Sequence, residues 1–181
     1  DGDGAVEVVH GALILHGATG ATRGNGAYGR GSGYPGGTYA GFGVAADIDQ
    51  DGDMEVVVGN ALYDADGNTI WFNGAEDGFV AVGNFDGNLE GQSQIAARKT
   101  SGTPANEIGT VRLWDLTADG TGLTTAPEGV LAFAPDPIYR LIGVGDLDDN
   151  GVDDFVFEQA NCAPPAVCPN PGLMRAYLME T

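Results

Sequence analysis

Positive charge is what this chain has least of. Seven lysines and arginines stand against 26 aspartates and glutamates, a formal charge of −19, which repels a phosphate backbone and an anionic membrane surface alike. Nucleic acid is therefore excluded as a partner. Long apolar runs are missing too: no stretch of about 18 apolar residues occurs, the length a spanning helix needs, so membrane insertion by a helix is not expected. Cysteine is scarce. Cys162 and Cys168 lie in the Pro-rich stretch 161–169, and read as a disulfide closing a small loop they fit an oxidising, extracellular setting. Neither of the two histidines, His10 and His16, is near them in sequence, so a metal pair there would lack further ligands. Amphipathic helical periodicity is absent, as are a Gly-x-Ser-x-Gly elbow, a phosphate loop and a His-based zinc motif. No catalytic residue can be nominated, and the chain reads as a non-enzyme.

Glycine, by contrast, is abundant. The 31 glycines and 9 prolines punctuate short runs of Val, Ile, Leu, Phe and Tyr, the pattern of an all-β chain with frequent tight turns. At 181 residues and 43% hydrophobic the chain can bury one sizeable core, so residues 1–181 read as a single domain.

The acidic residues are clustered, and the clusters repeat. Asp47-Ile48-Asp49-Gln50-Asp51-Gly52-Asp53-Met54-Glu55-Val56-Val57-Val58 recurs as Asp146-Leu147-Asp148-Asp149-Asn150-Gly151-Val152-Asp153-Asp154-Phe155-Val156-Phe157. A beheaded copy, Asp1-Gly2-Asp3-Gly4-Ala5-Val6-Glu7-Val8-Val9, opens the chain, and a degenerate one spans Asn84-Phe85-Asp86-Gly87-Asn88-Leu89-Glu90. Four copies imply a unit of roughly 40 to 60 residues, the size of a four-stranded propeller blade. Each unit follows one grammar. An apolar strand (residues 42–46 in the second unit) enters the loop, a β-branched strand (55–58) leaves it, and a third (61–63) turns through Asp64-Ala65-Asp66-Gly67-Asn68 into a fourth (69–72). The same places fall at residues 80–83, 94–97, 111–114 and near 123 in the third unit, and at 141–145, 155–157 and 173–178 in the last. Strand counts of three, four, four and three result, so the pattern reads as cut from a longer one, or as completed by neighbouring chains at its open edges.

The loops carry the chemistry. Ca²⁺ takes six to eight oxygens at about 2.3–2.6 Å, so a loop must curl several carboxylates and a carbonyl around one point. In the second loop Asp47, Asp49 and Asp51 offer side chains, Gly52 allows the bend, Asp53 gives a carbonyl and Glu55 closes the shell. The fourth loop repeats this with Asp146, Asp148, Asn150, the Val152 carbonyl and Asp154. The first loop retains Asp1, Asp3, Ala5 and Glu7, and the third offers Asn84, Asp86, Asn88 and Glu90. Asp-Gly turns also occur with no metal, because Asx side chains cap their own backbone, but two full copies in register favour calcium. A helix-loop-helix EF-hand is ruled out by the β-branched runs after each loop and by the missing twelfth-place Glu.

These loops resemble those of the FG-GAP or VCBS repeats of integrin-α-like propellers, which carry a D-x-D-x-D-G-x-x-D/E loop between the first two strands of a blade. The resemblance implies β-propeller blades of four antiparallel strands, with Ca²⁺ bound on the face opposite the usual ligand surface. It also implies that the Gly-rich connection between residues 17 and 43, with Arg23, Tyr28, Arg30 and Tyr34, lies on the ligand face, where Tyr and Arg can engage sugars or acidic chains. Three readings compete. The first is an extracellular, calcium-stabilised adhesion, scaffold or self-assembling module, whose partner is another copy or another extracellular protein. The second is a lectin-like, polysaccharide-binding propeller, and the third a polysaccharide lyase on the same scaffold.

Overall fold

Short β-branched runs bounded by Gly and Asx turns can bury apolar surface only by pairing with their sequence neighbours, and the structure is built that way throughout. The computed structural model describes residues 4–28, 41–72, 78–87, 94–99, 109–116, 123–133, 138–159 and 173–179. Asp1, Asp3, Arg30, Tyr34, Asn88, Glu90, Cys162 and Cys168 lie outside the described residues. Among those described there are fourteen strands and no helix. The first sheet comprises β1 (Glu7–His10), β2 (Leu13–His16) and β3 (Thr22–Asn25), and the second β4 (Val44–Ala46), β5 (Glu55–Val58), β6 (Ala61–Tyr63) and β7 (Thr69–Phe72). The third holds β8 (Val80–Gly83), β9 (Gln94–Lys99), β10 (Gly109–Leu116) and β11 (Leu123–Phe133). The fourth holds β12 (Ile138–Gly145), β13 (Asp154–Gln159) and β14 (Leu173–Tyr177). Every pairing is antiparallel and joins consecutive strands, in sheets of three, four, four and three.

The strand count matches the sequence pattern, and the differences are local. β4 starts at Val44 rather than Phe42, since its pairing with β5 runs only over Val44–Ala46; Gly43 just before it passes so close to the first sheet that a Cβ there would lie 2.4 Å from the Gly11 carbonyl oxygen. β11 is longer than the turn signals suggest and keeps its pairing with β10 through a register shift between Arg112 and Trp114.

β5 reads Glu-Val-Val-Val with all four residues buried, so it does not alternate between core and solvent. The reason is that its sheet is covered on both sides. Val56, Val58, Ala61 and Tyr63 pack with Ala12 and Ile14 of the first sheet. Val57 and Leu62, on the opposite face, pack with Ile48 of the loop before β5 and with Val80 of the third sheet, with Val82 and Trp114 alongside. A strand buried on both faces needs a continuous apolar run rather than an alternating one. The third and fourth sheets meet through Phe85, whose ring stacks on Phe155 at 4.6 Å. The sheets thus stand face to face in an open row, with the entering strands β4, β8 and β12 neighbouring one another in turn.

Polar contacts lock the first joint. The Tyr28 N–H donates to the Tyr63 hydroxyl at 2.7 Å, and that hydroxyl donates to the Tyr28 carbonyl. Arg23 Nε and Nη2 donate to Asp66 Oδ1 at 3.1 and 3.0 Å, and the Tyr28 ring stacks on Phe72 at 3.9 Å. Gly24 runs beneath the Asp66 carbonyl, where a Cβ would come within 2.4 Å of the oxygen.

Ile48 and Leu147 occupy the same place in their loops, yet Ile48 is fully buried against the third sheet while Leu147 is 54% exposed. Ile48→Ala should therefore cost about 2–5 kcal/mol, the range for emptying a buried aliphatic site. Leu147→Ala should stay within about 0.5 kcal/mol. Denaturant titration of dilute protein checks this, and equal losses would contradict the packing described.

Candidate metal centre

The second and fourth loops have the same backbone course, imposed by the same local chemistry. Each follows the first strand of its sheet and leaves in register, Ala46 opposite Glu55 and Gly145 opposite Asp154. Both turn with positive φ at equivalent places, Gln50 (61°) with Asp149 (62°) and Gly52 (100°) with Gly151 (88°). For Gln50 and Asp149 this left-handed conformation is uncommon and costs on the order of 1 kcal/mol. It is held by matched side-chain hydrogen bonds. Asp47 Oδ2 accepts from Gly52 N at 3.2 Å and Asp146 Oδ2 from Gly151 N at 2.9 Å. Asp51 Oδ1 accepts from Asp53 N at 2.9 Å and Asn150 Oδ1 from Val152 N at 2.8 Å. The closing acids reach back across the loop, Glu55 Oε2 to Ile48 N and Asp154 Oδ2 to Leu147 N, both at 2.8 Å.

The outcome is a pair of equivalent acidic clusters. Carboxylate oxygens of Asp47, Asp49 and Glu55 lie within 4.8 Å of one another, and so do those of Asp146, Asp148 and Asp154. Each cluster could hold a metal ion. Asp47 Oδ1 is buried with no hydrogen-bond partner among the described residues, an oxygen whose desolvation none of them offsets. All the donors are hard oxygens, the set suited to Ca²⁺, Mg²⁺ or Mn²⁺ rather than to a soft metal.

The remaining residues nominated from the sequence are placed differently. Asp51 and Asn150 turn an oxygen back onto their own loop, and the Asn150 amide also donates to the Met179 carbonyl at 2.8 Å. The residues bearing the nominated carbonyls, Asp53 and Val152, follow those turns. Glu7 stands beside Arg23, Oε1 to Nη1 3.8 Å, and Ala5 precedes β1 with the rest of its loop outside the described residues. In the third loop, Asn84 Nδ2 donates to the Gly151 carbonyl at 3.2 Å, so its side chain faces the fourth loop, and Asp86 is exposed. The strand position corresponding to Glu55 is there held by Gln94, opposite Gly83. Arg23 and Tyr28, nominated for ligand binding, are engaged at the joint between the first two sheets.

Two contributors were not singled out from the sequence. Asp153 Oδ2 accepts from Asn84 N at 2.7 Å while Asp153 N donates to the Asn84 carbonyl at 2.6 Å, clamping the third loop to the fourth. Met179 N donates to Asp154 Oδ1 at 2.8 Å, tying the end of β14 to the fourth cluster. Asp153 had a signal, since the matching place in the second loop is apolar Met54. A backbone N–H has none. Comparison with protein-family models, curated proteins and solved structures finds no match.

Burial pushes the Glu55 carboxyl above its ordinary range, partly offset by the Ile48 N–H, with Asp49, Asp51 and Asp47 adding to the rise. Asp146 is held below its ordinary range by the Gly151 N–H, against some desolvation, with help from Asn150 and the neighbouring amides. The signs are opposite. The raised Glu55 contributes stability below its unfolded value that is lost as pH rises through its folded value. The depressed Asp146 contributes stability above its unfolded value that is lost as pH falls through its folded value. In chelator, Glu55→Gln, which keeps an acceptor for Ile48 N, should melt higher than the parent at pH 7, with the gap closing as the pH falls towards 4. Thermal melts across that window check it, and a gap independent of pH would mean that Glu55 is not the charge under strain.

Proposed function

We propose that this chain is a calcium-stabilised, propeller-type array of FG-GAP or VCBS character that works outside the cell as a non-catalytic adhesion or scaffold module. The observation that carries the reading is the coincidence of two loops about 100 residues apart in sequence, which bring three carboxylates together at the same places through the same hydrogen bonds. Like charges held this close repel one another unless a cation sits among them. The buried, unpaired oxygen of Asp47 supports a ligand beyond the protein's own donors. Asp47, Asp49 and Glu55 would hold one ion, and Asp146, Asp148 and Asp154 another. A bound Ca²⁺ supplies no reaction here; it cancels charge and ties two strands to one point.

Support for the propeller arrangement comes from sheets packed face to face with their entering strands adjacent, as blades around an axis would be. The scaffold reading is preferred to the polysaccharide-binding one because the described members of the proposed ligand face, Arg23 and Tyr28, are spent on the joint between two sheets.

Calcium should raise the melting temperature and chelator should lower it, with dissociation constants on the order of 10⁻⁴–10⁻³ M, as in extracellular modules. At free Ca²⁺ of 100 times the dissociation constant each site contributes about 2.7 kcal/mol. Asp49→Ala and Asp148→Ala should each remove one site's share of that gain while differing little from the parent in chelator. Calorimetric titration with scanning melts tests this. A melting curve indifferent to calcium and chelator would overturn the reading.

A further inference from the structure

Asn150-Gly151 is where the fourth loop departs from the acid repeat, because the corresponding pair in the second loop is Asp51-Gly52. The amide there is held in a reactive arrangement. Asn150 Oδ1 accepts from Val152 N at 2.8 Å, so the side chain folds back over the following peptide, as in an Asx-turn, and its carboxamide carbon is brought alongside the Gly151 nitrogen. Those two atoms are the ones that close a five-membered succinimide ring.

The surroundings favour that closure. Gly151 N donates to Asp146 Oδ2 at 2.9 Å, within reach for the carboxylate to draw off the proton as the nitrogen attacks. The Val152 N–H stands on the oxygen that gathers negative charge in the attack, the place of an oxyanion donor. Gly151 itself sits at a φ of 88°, where other residues are strained, and it has no Cβ to obstruct the approach. Asn25-Gly26, the other Asn-Gly pair among the described residues, is held differently. Asn25 ends β3 opposite Leu13, and the Gly26 N–H donates to the Ala12 carbonyl at 2.9 Å, an acceptor that takes up no proton.

We propose that Asn150 is a self-modification site, converted to aspartate by the loop that holds it. Gly151 N bonds to Asn150 Cγ, the Cγ–Nδ2 bond breaks, and the Gly151 proton leaves with Nδ2 as ammonia. Water then opens the ring, its oxygen adding to a ring carbonyl carbon and its hydrogen returning to the Gly151 nitrogen. Opening at Cγ gives aspartate, and opening at the backbone carbonyl gives isoaspartate. The aspartate has a precedent in the second loop, where Asp51 Oδ1 makes the equivalent bond to Asp53 N at 2.9 Å. Conversion also removes the bond from Asn150 Nδ2 to the Met179 carbonyl, 2.8 Å long, and so loosens the fourth loop from the segment that follows β14. The inference rests on the hydrogen bonds of the loop and not on bound cations.

The test incubates the full chain in chelator below its melting temperature, and peptide mapping by mass spectrometry follows replacement of the amide NH₂ by hydroxyl at each asparagine. In the folded chain Asn150 should convert about 10-fold or more faster than Asn25, since a positioned base typically contributes about 10²–10⁴. Denaturant should slow Asn150 and bring the two rates together, both sites then being Asn-Gly in an unstructured chain. Asp146→Asn keeps an acceptor for Gly151 N but takes up no proton, so it should bring Asn150 down towards the Asn25 rate. Its melting temperature shows whether it is folded; if it is not, the comparison of the folded and denatured parent decides. Asn150 converting no faster than Asn25 in the folded chain, converting no faster folded than denatured, or keeping its rate in a folded Asp146→Asn would each overturn the proposal. Calcium response is read separately, so failure here leaves the cation reading standing, and the reverse holds too.

Discussion

The centre of this structure depends on the second sheet being covered on both faces. The strands of the second sheet are three or four residues long, and so short a sheet buries too little on one side to offset the entropy of ordering it. It holds because Val56, Val58, Ala61 and Tyr63 face one neighbour and Val57 and Leu62 the other. The same requirement explains why glycines stand where sheet meets sheet: Gly24, Gly43 and Gly83 each approach a neighbouring unit more closely than a Cβ would permit.

Cation chemistry and packing are joined in the same few residues. Between the first two converging acids of the second loop, Asp47 and Asp49, sits Ile48, whose side chain is in the core against the third sheet and whose N–H is held by Glu55. Ordering the acids around an ion would therefore also fix the residue that anchors the loop to the next sheet. At the fourth loop the coupling runs through the backbone. Asp154 takes the Met179 N–H, Asp153 grips Asn84, and the Gly151 carbonyl takes the Asn84 amide. Loop closure, the joint to the preceding sheet and the end of β14 all meet at one cluster.

The charge balance gives this arrangement its direction. A chain at −19 is unfavourable to compact, and its most crowded acids are also among its most desolvated. Glu55 and Asp154 are both buried, Asp154 with an N–H on each oxygen and Glu55 with one described. The same closing position thus carries different strain in the two loops. Longer Glu55 spans the loop with less backbone support and is pushed towards its neutral form. Asp154, set into the strand, is satisfied on both oxygens by the protein.

Much of the fold was legible in the sequence. The 3-4-4-3 division into strands followed from β-branched runs between Gly and Asx turns, signals that act over a few residues and need no tertiary partner. The two acid clusters were legible for the same reason, since alternate acids ending at a β-strand converge through local hydrogen bonds. Tertiary structure alone decided which acids meet, because convergence depends on where the side chains turn. Asp51 and Asn150 each turn one oxygen onto a backbone N–H, Asn84 faces a loop 67 residues away, and Arg23 and Tyr28 are engaged between two sheets. It alone also decided the opposite fates of Ile48 and Leu147. Their local sequences and backbones are alike, but among the described residues only Ile48 has a sheet packed against it, and burial is a property of what lies across the gap rather than of the residue.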